Sequence, residues 1–474
     1  MKIKNLVTVL LVAMILVSCA QAGKVVPTET AIPTSTITPA PTATITATAI
    51  PLIPKEQFTN GYFEIVQPSE ELIKKGLETG VIKQEIDVQN LVFDVHDSKN
   101  HSNQKVVFGR NPETNEIILA TRVNPNTGEI SWHVAGLRDL ADVLGLTIGT
   151  QLYSPNNELF SRSDIQKINT LVVQEYNHAI IIEAGWVFTE FDEGKFDFTR
   201  ADEAVALAIE NGMTTECDDL IYGLSDFQYG YLSRLEEQLR NQGWSDQQIK
   251  DKFETLIKNH IIEVMSHFKG KIQEYSTLNE WRGRHTDVPD RYSVIFGNDE
   301  EFIKMVFQTA RETDSTARLF YNDNDINTRR DYGYPYALAN VQRLIKSGLI
   351  DAVGIQMTDI YVANPPNDNE IIAAMQSWDI PVIVSSATFQ VQDTSGTDEE
   401  IQKQQAEVAV QMLDACIKSG VCKDFRFWDG YGDKFAFQGA NTKSTIFDEN
   451  MKPKLAYFAI KEYLTQMIDG QNSQ

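Results

Sequence analysis

The most constraining feature of the chain is a rhythm. Eight short apolar runs of β character recur between residues 146 and 428, each followed by polar loop and helix: Leu146–Thr150, Ala179–Glu183, Met213–Asp218, Ile272–Glu280, Ala317–Asp323, Ala352–Thr358, Pro381–Ser386 and Lys423–Trp428. The intervening segments carry apolar residues at helical spacing, such as Val205, Ala208 and Ile209, or Val408, Met412 and Cys416. Strict alternation of strand and helix predicts a parallel sheet, and eight repeats predict an α/β chain closed as a (β/α)8 TIM barrel over residues 137–474. An open doubly wound sheet is the rival arrangement. No G-x-G-x-x-G or P-loop follows any of the runs, which argues against nucleotide binding.

Residues before the barrel read differently. Lys2 and Lys4 precede an apolar run, Leu6–Val17, that is short for a bilayer span. It ends in Leu16-Val17-Ser18-Cys19, a sequence that resembles a bacterial lipobox. Residues 1–18 are therefore expected to be a lipoprotein signal peptide, with Cys19 lipidated. The protein is then exported and anchored at the bacterial cell surface or periplasmic face. Residues 19–54 are rich in Thr and Pro, cannot bury a core, and read as an extended linker. Residues 55–136 form a small β-rich N-terminal extension. Its runs Val106–Phe108, Ile117–Val123 and Ile130–Val134 are separated by Asn-Pro turns and are expected to pack on the barrel.

Charge and cysteine use narrow the function. With 42 basic and 66 acidic side chains the formal charge is −24, which argues against a nucleic-acid partner. The seven histidines are scattered, with no compact ligand motif, so neither a metal nor a cofactor is expected. In an oxidising compartment Cys416 and Cys422 are expected to pair, leaving Cys217 as a buried free thiol. The chain is expected to be a monomer.

Catalytic groups of a TIM barrel cluster at the C-terminal ends of the strands. Here those ends carry Glu183, Asp218, Asp219, Asn279, Glu280, Asn322, Asp323 and Gln356, with Trp186, Tyr222, Trp281, Tyr321 and Trp428 beside them. Carboxylates beside flat rings suit sugars, whose C–H faces stack on rings while their hydroxyls need acceptors.

These residues resemble glycoside hydrolase family 10, the endo-β-1,4-xylanase family. The resemblance runs from Leu137-Arg138-Asp139-Leu140-Ala141 through Gly194-Lys195-Phe196-Asp197-Phe198, Leu278-Asn279-Glu280, Tyr321-Asn322-Asp323 and Asp351-Ala352-Val353-Gly354-Ile355-Gln356 to Phe427-Trp428 and Lys452-Pro453-Lys454-Leu455-Ala456-Tyr457. The C-x5-C spacing also occurs as a disulfide in some members. The resemblance implies a β-1,4-linked polysaccharide such as xylan as partner and Glu280 as acid/base. It implies Glu183, Asn279, Gln356 and Trp428 as sugar-binding residues, with Tyr222 in a tryptophan's place.

The family's nucleophile, a Glu ending the seventh strand, has no counterpart. Ser386 stands at its position, and no acid lies between Asp379 and Asp393. A serine without an adjacent base is a poor nucleophile and adds no charge to stabilise an oxocarbenium-like transition state. Three functional readings follow. In an active glycosidase, Asp218 or Asp219, in a segment where the family carries a histidine, is a relocated second carboxylate. The alternatives are a non-catalytic surface glycan-binding barrel and a structural barrel with a vestigial site, in which Glu280 pairs with Arg282 or Arg284.

Overall fold

The computed structural model describes residues 69–471 except 103, 224–229, 282–290, 298, 324–333, 393, 437–438 and 440–441. The signal and linker segments, Cys19, Arg282 and Arg284 lie outside the described residues.

After a helix over Glu70–Thr79, four antiparallel strands form a meander: β1 (Val92–Asp97), β2 (Lys105–Arg110), β3 (Ile117–Val123) and β4 (Ile130–Val134). Sequence reasoning found three of them. The one it missed, β1, carries Asp94, a polar residue in a buried position, whose carboxylate is held by Arg110 (2.9 Å) and His96 (2.7 Å).

The barrel strands are β5 (Thr147–Gln151), β6 (His178–Ile181), β9 (Thr214–Cys217), β10 (Glu274–Asn279), β11 (Arg318–Asp323), β12 (Ala352–Tyr361), β13 (Val382–Gln390) and β14 (Cys422–Phe427). They are parallel and close in chain order, β14 pairing with β5. A small hairpin, β7 (Glu190–Asp192) with β8 (Lys195–Phe196), sits between β6 and β9. The expected (β/α)8 barrel is thus the observed fold, and the open sheet is excluded by closure.

Two of the long helices begin where side chains satisfy their first amide groups. Thr397 and Glu400 form a capping box on the helix Asp398–Lys418, as do Ser245 and Gln248 on Asp246–Phe268. The first of these buries Val408, Met412 and Cys416 as the periodicity predicts. On the helix Thr199–Glu210 the buried face is Ala201, Ala204, Val205 and Ala208; Ile209, expected on it, points to solvent. Cys416 and Cys422 form a disulfide joining a helix end to β14, and Cys217 is a buried free thiol.

Buried charge gathers in the lower part of the barrel, level with the starts of β6, β10 and β11. Arg426 is fully buried, paired with Glu216 and Glu274, and Arg318 bridges Glu274 and Asp424 at 3.2 Å each. These residues come from β9, β10, β11 and β14 and form an ionic floor under the barrel. The meander docks at this end. Arg122 of β3 pairs with buried Asp139 (2.7 Å) and donates to the carbonyls of Val173 and Gln174, at the end of the helix Arg162–Glu175. Arg110 of β2 reaches Asp469 (3.1 Å) at the end of the last helix, Leu455–Gln471. Helices that follow parallel strands run back toward the strand starts, so these contacts place the meander on the floor, opposite the mouth.

Candidate active site

The site is assembled at the mouth by a segment that leaves β9 and tracks along β10. Leu220 donates its backbone N–H to the Ser276 carbonyl (2.8 Å), and Asn279 donates to that of Ile221 (2.9 Å). Tyr222 then bridges in parallel to Asn279. This pairing sets the side chains of 218–222 against the end of β10. The Asp218–Asp219 peptide is cis.

Glu280 follows β10 with φ of 49°, in the left-handed region that a non-glycine residue seldom occupies without a compensating hold. Its N–H donates to the Asn322 carbonyl of β11 (2.9 Å). Its half-buried carboxylate accepts from the Tyr222 hydroxyl at Oε2 (2.7 Å) and from Gln356 Nε2 at Oε1 (3.0 Å). The same Gln356 amide donates to Asn279 Oδ1 (3.1 Å).

Asn279 Nδ2 donates in turn to Asp219 Oδ2 (2.8 Å), whose Oδ1 accepts from Ser276 (2.7 Å). Asp218 completes the cluster by hydrogen bonding to Asp219. A continuous line therefore runs Asp218, Asp219, Asn279, Gln356, Glu280, Tyr222. Ser276 was not found by sequence reasoning. It lies inside the strand, not at its end, and a lone serine there carries no signal of its own.

Burial pushes the Asp219 carboxyl up to about 6, with the nearby Glu280 charge adding to the rise and hydrogen bonds from Asp218, Ser276 and Asn279 opposing it. Burial and the charge of Asp219 push Asp218 well above the carboxylate range, so Asp218 holds the proton between them. The Cys217 thiol behind them is also pushed up, by burial and by both aspartates, and is inert.

Other sequence candidates fall elsewhere. Glu183, in a short 3-10 turn after β6, is 1% exposed and tied to the Ser154 N–H (3.1 Å) and Asn157 Nδ2 (2.6 Å). Burial pushes its carboxyl up to about 7. Ser386 is buried in β13 directly beside Gln356 of β12, and β13 carries no carboxylate. Asn322 is held by Ser385 (2.6 Å), and buried Asp323 by the Tyr321 hydroxyl (2.5 Å).

Of the five aromatic residues expected beside the strand ends for sugar stacking, three are core. Trp186 stacks on His260 at 3.9 Å, Trp281 on Phe302 at 4.5 Å, and Tyr321 is fully buried. Tyr222 and Trp428 keep partial exposure.

A closed parallel barrel whose mouth gathers carboxylates, amides and two accessible rings is a barrel of the glycosidase class. Its relatives agree. The profile of "Glycosyl hydrolase family 10" matches residues 136–463, and the chain belongs to that family. It is 26% identical over 351 residues to endo-1,4-beta-xylanase B of Thermotoga neapolitana, covering 70% of this chain and 92% of the relative. It is 27% identical over 292 residues to endo-1,4-beta-xylanase A of Humicola insolens, covering 59% and 72%. Among solved structures, native xylanase 10B from Thermotoga maritima superposes with a TM-score of 0.60 at 26% identity, covering 71% of this chain and 100% of that one. Xylanase 10B from Thermotoga petrophila RKU-1 in complex with xylobiose gives 0.59 at 26%, covering 70% and 98%.

Proposed function

We propose that this protein is a glycosidase acting on a β-1,4-linked polysaccharide such as xylan, with Glu280 as proton donor and Ser386 in the place of the usual nucleophile. The observation that carries this reading is the setting of Glu280. It stands at the end of the fourth barrel strand, gripped by Tyr222 and Gln356 beside Asn279, in a chain of the xylanase family. Two fixed partners, one on each oxygen, keep the Glu280 carboxyl aimed. We also propose export and attachment through a lipid on Cys19, for which the lipobox-like sequence is the support.

The test is a reducing-sugar assay on a panel of xylans and glucans with the wild type and Glu280→Gln. The expected outcome is release of sugar from xylan by the wild type and a fall of about 100-fold or more in the variant. Equal release by both would remove Glu280 from the mechanism. A second reading, a glycan-binding barrel without hydrolysis, is favoured by the carboxylate-free β13 and the engaged Glu183. Titration calorimetry with xylan oligomers showing binding without cleavage would establish it.

A further inference from the structure

The family's chemistry needs two carboxyl groups, and the seventh strand supplies none. We propose that Asp219 is the second reacting carboxyl group of this site, acting as general base on water, with Asp218 as its positioning partner. This rests on the reading of the chain as a glycosidase with Glu280 as donor.

Three observations carry it. The β9–β10 pairing places Asp219 at the mouth, in the same hydrogen-bonded line as Glu280. Asp219 keeps partial exposure at the mouth, whereas Glu183 is sealed and Asp323 is buried. Its two oxygens are aimed by Ser276 and Asn279, so the carboxylate is fixed before substrate arrives. Asp218 holds the pair's shared proton, which leaves Asp219 the anionic member at neutral pH.

Two amide side chains, Asn279 and Gln356, stand between Asp219 and Glu280. A base that activates water, in place of a carboxylate that attacks the sugar, gives a single displacement from the face opposite the leaving group and so predicts inversion. The step balances. Water oxygen bonds to the anomeric carbon as its proton passes to Asp219. The glycosidic C–O bond breaks with its electron pair on the leaving oxygen, which takes the Glu280 proton. Asp219 then loses its proton to solvent and Glu280 regains one.

The experiment follows cleavage of xylohexaose and of 2,4-dinitrophenyl β-xylobioside, with proton NMR reading the anomer first released from xylohexaose. The wild type should release the α-anomer. Asp219→Asn should lose about 1,000-fold in kcat/KM on both substrates, because a good leaving group does not replace the base. Glu280→Gln should lose activity on xylohexaose and keep it on the dinitrophenyl substrate, which departs without an acid. Asp218→Ala, which strips this donor from Asp219, should move the acid limb of the pH profile to higher pH, and Asp218→Asn, which restores a donor, should move it back.

The wild-type rate should also fall below about pH 6 as Asp219 takes up a proton, in a setting of Asp218, Glu216, Cys217, Glu280 and Tyr222. Release of the β-anomer overturns the assignment. So does wild-type activity in Asp219→Asn while Glu280→Gln has lost xylohexaose cleavage; in either case Glu280 keeps its role. No turnover of either substrate by the wild type overturns both readings. Should Asp219→Asn fail to fold, the anomer released by the wild type decides alone.

Discussion

Glu183 shows how completely a carboxyl after a barrel strand can be enclosed. Its carboxyl is enclosed by Ser154 and Asn157, and burial raises it from 4.5 to about 7. A carboxyl raised in the folded state favours folding while protonated. Its contribution is complete below the unfolded value of 4.5 and is lost as pH rises through about 7. Glu183→Gln is expected to remove this penalty, worth at most about 3 kcal/mol at pH 8. Thermal unfolding from pH 5 to 8 would show it as a flatter profile in the variant. The carboxylate type was readable in the sequence, but its enclosure was not. Asn157 and Ser154 lie in the loop after β5, about one helix away in the chain, and nothing in their spacing marks them as partners of Glu183.

At the scale of elements, the meander and the barrel share one hydrophobic core: Phe108 and Leu119 of the sheet belong to the same buried cluster as Leu140 and Ile148. Their joint is ionic as well, centred on Asp139, which Arg122 and His133 both contact. The Arg122 guanidinium holds the Asp139 carboxyl far below the usual range, against the burial that would raise it. Arg122→Met strips the principal partner from a carboxylate that is 2% exposed, and is expected to cost about 3 kcal/mol. A denaturant titration should show an earlier midpoint and still a single transition, since sheet and barrel unfold as one body. The barrel strands were legible because their Val, Ile and Leu runs must be buried on both faces. The first sheet strand was not, because Asp94 and His96 occupy it and Arg110, which pairs with the buried acid, comes from the neighbouring strand. Trp186 and Trp281 misled for the converse reason. Sequence reports a ring near a strand end but not whether another ring already covers it.

For the whole molecule, the ionic floor couples stability to acid. The Arg426 charge and those of His178 and Arg318 lower Glu274 from 4.5 to about 2, against its burial. A carboxyl lowered in the folded state contributes stability that is present above 4.5 and is lost as pH falls through about 2. The protein is therefore expected to lose stability steeply across that window. Glu274→Gln should be less stable at neutral pH, with Arg426 short of a partner, yet less sensitive to acid. Urea midpoints at pH 6 and pH 3 would separate the two effects.

The placement of the meander has a practical consequence for handling the molecule. Its turn Asn124–Glu129 is exposed and belongs to the sheet on the floor, while Glu280 and Trp428 open at the opposite end. A tether attached at that turn, to a bead or a sensor chip, would hold every copy with its cleft facing the bulk liquid. Long polymer chains would then reach it unobstructed by the support.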